Sequence, residues 1–209
     1  MPGWGAPASL YRRAVPDGWE VLEPPRFRET GGRLEPYLEW LLALLDERVA
    51  LAGHSMGGAL AIRAALERPV ERLILVSPAG LPLAKPLRRS ALTFVRRLLR
   101  RSYPLRSLAE MTAGTLGAPR EAFALARTVH DLDLSDELER LRAQGTPCTV
   151  IACTSDELTT PAHCRELAAR LGADYREVVA RDGHIWVVTQ PQLLRDELER
   201  GGPVGGPAS

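Results

Sequence analysis

A serine between two glycines is the first feature of this sequence that could do chemistry. Residues 51–60 read LAGHSMGGAL, so Ser55 follows an apolar run and precedes an alanine-rich one. This context predicts a strand, a sharp turn at the serine and then a helix. Such a turn strains the backbone, and Gly53 and Gly57 are small enough to avoid steric conflict there. At the helix N-terminus the N–H of Met56 could then stabilise an oxyanion.

A phosphate-binding glycine loop is the competing interpretation of this stretch. No lysine follows the glycines as in G-x-x-x-x-G-K-[ST], and G-x-G-x-x-G is not matched, so a nucleophile is favoured over a nucleotide site. GHSMGG after a hydrophobic strand resembles the nucleophile elbow of the α/β-hydrolase superfamily. The resemblance implies that an acid and then a histidine follow Ser55 along the chain.

The chain after the serine contains both implied groups. A serine hydroxyl becomes a good nucleophile only when an oriented base takes its proton. Residues 155–161, SDELTTP, are similar to the D-x-L-T-x-P loop that carries the acid in many superfamily members, and Asp156 matches that acid. Counting back by a shorter version of the motif selects Glu157, which stays open as the alternative. Further on, DGHIW resembles the loop that delivers the catalytic histidine, so His184 is the implied base.

The other histidines and the cysteines are not predicted to be catalytic. Three histidines are expected to be structural or exposed, namely His54, His130 and His163. Three cysteines are expected to be buried thiols, namely Cys148, Cys153 and Cys164. Zinc binding by these cysteines with His163 is disfavoured, because the spacing matches no familiar ligand pattern. We therefore predict that the protein uses neither a metal nor an organic cofactor.

The elements that must position these groups alternate between strands and helices. Apolar runs predict strands at 48–53, 72–78, 148–154 and 175–181, and a weaker one at 19–24. Apolar residues that recur at intervals of three and four predict helices at 34–47, 56–67, 161–171 and 190–200. The alternation predicts the α/β class, with a mostly parallel sheet flanked by helices.

The length fits a single domain over residues 1–209. Residues 81–145 are helical in composition and exceed what one crossover needs, so we predict an inserted helical cap over a substrate pocket. The Gly/Pro-rich tail at 201–209 is predicted to be disordered.

The first residues of the chain include a candidate for the second N–H donor to the oxyanion. Residues 2–5, the PGWG loop, resemble the H-G-x-G loop of the superfamily, with Pro2 at the histidine position and the Trp4 N–H as the implied donor. The strand that normally precedes this loop, and the two strands before that, have no counterpart here, because only Met1 stands before the loop. We therefore expect an N-terminally shortened fold with 19–24 paired directly to the elbow strand, a start upstream of this methionine, or a partly degraded fold.

A basic stretch lies within the predicted cap. Residues 85–106 read KPLRRSALTFVRRLLRRSYPLR and contain no acid. On a helix the apolar residues would gather on one side and the arginines on the other. We favour a solvated face of the cap over contact with an anionic membrane surface or guidance of an anionic substrate.

Composition narrows the function classes. The 27 Lys+Arg and 26 Asp+Glu residues nearly cancel, so no overall charge points to nucleic acid. An odd number of cysteines and no recognisable secretory signal predict a cytoplasmic protein. The resemblance implies a serine hydrolase that cleaves small-molecule esters or thioesters through a Ser-His-Asp triad. The alternative is a non-catalytic hydrolase-like protein that binds a small hydrophobic ligand or a protein partner.

Overall fold

A parallel sheet forms the centre of the chain. The computed structural model describes residues 1–46, 49–89 and 105–200. Within them the sheet has four strands in the order β1-β2-β3-β4, namely β1 (Ala50–His54), β2 (Arg72–Val76), β3 (Cys148–Cys153) and β4 (Asp174–Val178). All three strand pairs are parallel, and Gly53 is in register with Leu75. The carboxyl ends of the strands therefore lie along one edge of the sheet.

Helices follow or connect the strands. They are α1 (Phe27–Thr30), α2 (Glu35–Leu44), α3 (Met56–Glu67), α4 (Leu105–Gly117), α5 (Pro119–His130), α6 (Ser135–Gln144), α7 (Pro161–Leu171), α8 (Trp186–Thr189) and α9 (Pro191–Arg200). Short 3-10 turns occupy Ala8–Leu10 and Gly183–Ile185. Local sequence explains several boundaries. Helix α7, for example, begins with a proline, and the Thr160 side chain caps it by accepting the His163 N–H.

Both faces of the sheet are buried. Leu73 and Leu75 of β2 face one core, which helices α2, α3, α6 and α7 complete. The intervening Ile74 and Val76 face a second core, which contains Trp186 of α8 and apolar residues of α9. Burial on both sides explains why β1, β2 and β3 read as nearly continuous apolar runs, whereas in the edge strand β4 only Val178 is buried.

The four strong strand predictions and the four helix predictions agree with the observed elements to within about three residues at each end. The weaker strand at 19–24 is wrong. Two prolines, Pro24 and Pro25, end this run and remove N–H groups that a ladder would need. Trp19 and Val21 instead pack against one core and Leu22 against the other.

The expected pairing of 19–24 with the elbow strand is therefore also wrong. The main chain of Met1 lies at that edge of β1 instead. Its amino group donates to the Ala52 carbonyl at 2.7 Å, and its carbonyl accepts the His54 N–H at 3.0 Å. Met1 thus bonds to the residues on either side of Gly53, which is the hydrogen-bond pattern of a parallel ladder. They place the PGWG loop directly beside the carboxyl end of β1.

The region predicted as a cap contains α4, α5 and α6. Helix α5 packs closely against the chain after α1, because a Cβ on Gly32 would lie 2.4 Å from the Glu121 carbonyl oxygen. Most of the basic stretch and the whole C-terminal tail fall outside the described residues, so both predictions stand as predictions. Within the described ranges, no helix is long and apolar enough to cross a membrane.

Candidate active site

Ser55 occupies a strained turn between β1 and α3. Its φ is 54° and its ψ is −120°, in the region that favours glycine. The turn is closed tightly, because a Cβ on Gly53 would lie 2.3 Å from the Gly57 carbonyl oxygen. A Cβ on Gly57 would lie 2.5 Å from the Pro2 carbonyl oxygen. The two glycines are thus needed for contacts with the elbow itself and with the PGWG loop.

Three polar side chains meet beside this turn. Ser55 Oγ is 2.9 Å from His184 Nε2, and His184 Nδ1 is 2.8 Å from Asp156 Oδ2. They come from the ends of β1, β3 and β4, which the parallel sheet brings to one edge. Asp156 and His184 are only 4% and 7% exposed, whereas Glu157 is exposed. The carboxylate that contacts the imidazole is therefore that of Asp156.

Hydrogen bonds hold the Asp156 carboxylate in place. Its Oδ1 accepts the N–H groups of Leu158 and Thr159 at 2.8 and 3.2 Å. The Thr159 hydroxyl lies 3.0 Å from Asp156 Oδ2 and 3.1 Å from the Ser77 carbonyl, and it can donate to either. Burial by itself would raise the pKa of Asp156, but His184 and these donors outweigh it and hold the pKa below its ordinary value. The carboxylate is thus ionised at neutral pH.

Thr159 and Ser77 were not singled out from the sequence. Thr159 is the threonine of the D-x-L-T-x-P pattern, so the motif contained a signal for it. Ser77 is fully buried, has a φ of 42°, and orients its carbonyl toward Thr159. Its conformation arises where β2 ends before Pro78, and no sequence pattern marked it.

The PGWG loop lies against the elbow. A Cβ on Gly3 would be 3.2 Å from the Cβ of Ser55. The Trp4 indole donates to the Ala122 carbonyl of α5 at 3.1 Å, and its ring centroid is 5.2 Å from that of Phe27. In the part of the chain that the structure describes, the N–H groups of Trp4 and Met56 meet no protein acceptor. Both are placed near Ser55 with capacity to donate.

The remaining histidines all have hydrogen-bonding partners. His54 is buried in the elbow and bonds to the His184 carbonyl and to Tyr11. His130 is half-buried, bordering the cavity above Ser55, between Asp131 and the Lys85 carbonyl. His163 is half-buried beside the Pro78 carbonyl.

The cysteines are free thiols. Cys153 and Cys164 are buried as predicted, whereas Cys148 is only partly buried. Burial raises the pKa of Cys148 to about 11 and that of Cys164 still further. Among the described residues, no group of three or more His, Cys, Asp or Glu side chains could hold a metal ion.

A cavity of about 380 Å³ opens above the serine. Ser55, His184 and Trp4 border it at one end. The rest of the lining is mainly apolar and comes from distant parts of the chain, including Leu10, Leu83, Met111, Val129 and Val188. The cavity is therefore suited to an apolar ligand group next to Ser55.

Comparison with known proteins identifies the family. The sequence matches the model of the alpha/beta hydrolase family over residues 1–197, and the chain belongs to that family. A search of curated protein sequences found no match. The superfamily resemblance inferred from the elbow is thereby confirmed, and family membership supports a hydrolase.

Solved structures share the fold. Est816, described as an N-acyl homoserine lactone degrading enzyme, is 22% identical with a TM-score of 0.71, covering 96% of this chain and 90% of that one. A hydrolase from Pseudomonas aeruginosa PA01 is 21% identical with a TM-score of 0.66, covering 96% and 88%. The esterase EaEST from Exiguobacterium antarcticum is 15% identical with a TM-score of 0.64, covering 96% and 89%. These likenesses confirm the predicted fold class.

Proposed function

We propose that this chain hydrolyses small carboxylic esters or thioesters by acyl transfer, with Ser55 as nucleophile, His184 as general base and Asp156 as the orienting acid. The observation that supports this most is the continuous contact from Ser55 Oγ through the imidazole to the Asp156 carboxylate, at 2.9 and 2.8 Å. If Nδ1–H is donated to the carboxylate, Nε2 carries the lone pair that accepts the serine proton. The 2.9 Å separation of Ser55 Oγ and His184 Nε2 suits proton transfer between them.

The reaction would proceed in two halves. Ser55 Oγ bonds to the substrate carbonyl carbon while its proton passes to His184 Nε2, and the carbonyl electron pair moves onto oxygen. The Met56 and Trp4 N–H groups donate to this oxyanion. Its collapse expels the alcohol or thiol, which takes the proton from His184. Water then attacks the acyl-enzyme by the same steps and releases the acid, while Asp156 stabilises the imidazolium throughout.

The cavity lining favours an uncharged, apolar acyl group. Apolar side chains dominate the wall above Ser55, so burial of a hydrocarbon chain there is favourable. A charged group would lose hydration on entry, and among the described lining residues the titratable side chains are histidines and a tyrosine. We therefore expect simple aliphatic esters to be better substrates than esters of dicarboxylic acids.

Covalent labelling with a fluorophosphonate probe tests the proposal without knowledge of the natural substrate. Wild-type protein should be labelled at Ser55, as shown by mass spectrometry of the modified peptide, because only an activated serine attacks such a probe. Ser55→Ala should abolish labelling. Ser9→Ala is the matched control, because Ser9 is exposed and bonds only to Glu110 among the described residues.

Absence of labelling in a folded wild-type protein, verified by circular dichroism, would overturn the proposal and favour the non-catalytic binding protein. Labelling that survives in Ser55→Ala would equally exclude Ser55 as the nucleophile.

A further inference from the structure

A buried histidine next to the proposed nucleophile has no part in the steps above. His54 lies within the elbow and is only 7% exposed. Its Nε2 is 3.1 Å from the His184 carbonyl oxygen, and its Nδ1 is 2.8 Å from the Tyr11 hydroxyl. That hydroxyl accepts the Gly3 N–H at 3.2 Å. A hydrogen-bonded chain thus runs from the PGWG loop through two side chains to the backbone of His184.

The direction of every bond in this chain is fixed. The His184 carbonyl can only accept, so His54 Nε2 must carry a hydrogen. In a neutral ring Nδ1 is then the acceptor, so the Tyr11 hydroxyl donates to it and retains a lone pair for the Gly3 N–H. Burial, and secondarily the proximity of His184, lower the pKa of His54 to about 3. The ring is therefore neutral at neutral pH and keeps one tautomer.

The two ends of this series of hydrogen bonds lie at two parts of the site whose separation must stay constant. Gly3 precedes Trp4, whose N–H is the proposed second oxyanion donor. His184 lies in the short 3-10 turn after β4, and its carbonyl is one of the groups that fix that turn. The hydroxyl of Ser155 holds the other side of the turn by accepting the Gly183 N–H at 3.0 Å while donating to the Ala180 carbonyl.

We propose that Tyr11 and His54 are positioning residues that hold the oxyanion donor on the PGWG loop and the His184 base at a fixed separation across Ser55. The inference rests on the proposed function and adds two residues to it. Neither residue exchanges a proton with substrate. Both act by fixing groups that do, and a displacement of about 1 Å in such groups can cost about 100-fold in rate.

Three variants separate this role from simple structural support. Tyr11→Phe removes one hydroxyl and leaves the Gly3 N–H and His54 Nδ1 without that partner. His54→Leu removes both side-chain bonds, whereas His54→Gln keeps an N–H donor at the position of Nε2. The matched control is Tyr37→Phe, which removes the hydroxyl of another buried tyrosine, one that lies in α2 rather than beside Ser55.

The main measurement is the second-order rate constant for phosphonylation of Ser55 by the fluorophosphonate probe. We also measure kcat and KM for p-nitrophenyl butyrate per titrated active site, and the melting temperature of each variant. We expect Tyr11→Phe and His54→Leu to lower the phosphonylation rate constant and kcat by about 10- to 100-fold with little change in KM. His54→Gln should recover most of the loss, and Tyr37→Phe should change stability alone.

Wild-type rate constants in Tyr11→Phe, with or without a lower melting temperature, would overturn the positioning role. That result would leave the proposed function intact. If His54→Leu does not fold, the Tyr11→Phe result decides the matter by itself. If the wild-type protein is not labelled at all, the proposed function fails and this inference fails with it.

Discussion

At the scale of single residues, the carboxylate beside His184 is the most completely bonded group of the site. Asp156 accepts two backbone N–H groups on one oxygen and the imidazole N–H on the other. These bonds fix the plane of the carboxylate, and the carboxylate in turn selects the histidine tautomer that leaves Nε2 able to take a proton. In the proposed reaction Asp156 would therefore act through geometry as much as through charge.

Replacing this carboxylate by an amide should reverse the tautomer. In Asp156→Asn the side-chain NH₂ can face His184 Nδ1, which would then become an acceptor and place the hydrogen on Nε2. We expect kcat for p-nitrophenyl butyrate to fall by about 1,000- to 10,000-fold while KM changes little. The neighbouring Glu157→Gln is the matched control, because Glu157 is exposed. A large loss in Glu157→Gln and a small one in Asp156→Asn would instead assign the acid to Glu157.

At the scale of elements, the elbow is where a strand, a helix and the PGWG loop pack without side chains between them. Helix α3 approaches the loop so closely that its second residue, Gly57, lies against the carbonyl groups of Met1 and Pro2. This contact sets the position of the next residues of the loop, including Gly3 beside Ser55. Backbone packing and the proposed oxyanion site are thus parts of one arrangement.

A single methyl group at this contact should disturb both stability and chemistry. In Gly57→Ala the new Cβ would lie 2.5 and 2.6 Å from two backbone oxygens, and neither can move like a flexible side chain. We expect the free energy of unfolding to fall by about 1–3 kcal/mol in urea titrations, with slower labelling of Ser55.

Gly114→Ala in α4 is the control, because nothing lies within 4 Å of its added Cβ. Alanine there should raise helix stability by about 0.5–1 kcal/mol and leave labelling unchanged. Equal effects of the two substitutions would mean that the contact between α3 and the loop is not tight in solution.

At the scale of the whole molecule, the sequence predicted the elements better than the contacts between them. The buried strands and amphipathic helices carry periodic local signals, and the elbow adds glycines at fixed offsets. The prediction of a strand at 19–24 is wrong because an apolar run looks the same in sequence with or without a partner strand, and here prolines end the run.

Long-range polar contacts had no comparable signal. Tyr11 lies 43 residues from His54, and the two meet only because the segment after the PGWG loop packs against β1 and β2. His54 itself was expected to be merely structural or exposed, since a residue inside the elbow motif is not distinguished by type from its neighbours. The motif marks the position of Thr159. It does not show that the Thr159 hydroxyl also contacts the Ser77 carbonyl, because that contact depends on where β2 ends in the folded chain.

The cavity is likewise a property of the assembled chain, because residues near the N-terminus, in α4, in α5 and in α8 share its wall. If an acyl chain binds there, each buried methylene contributes about 0.8 kcal/mol, or about fourfold in kcat/KM. We therefore expect kcat/KM for p-nitrophenyl esters to rise with acyl length from acetate until the cavity is filled.

Filling the cavity should shift this preference toward shorter chains. Ala126 of α5 lines the cavity, whereas Ala124 of the same helix is exposed. We expect Ala126→Phe to lower kcat/KM for p-nitrophenyl octanoate by about tenfold or more, because a few methylenes lose their site at about fourfold each. Activity on the acetate ester, which needs little of the cavity, should stay near wild type.

Ala124→Phe should leave the whole series unchanged, since its side chain points to solvent. If both variants gave the same chain-length profile as wild type, the acyl group would not occupy this cavity. The cavity would then have to be assigned to the leaving group.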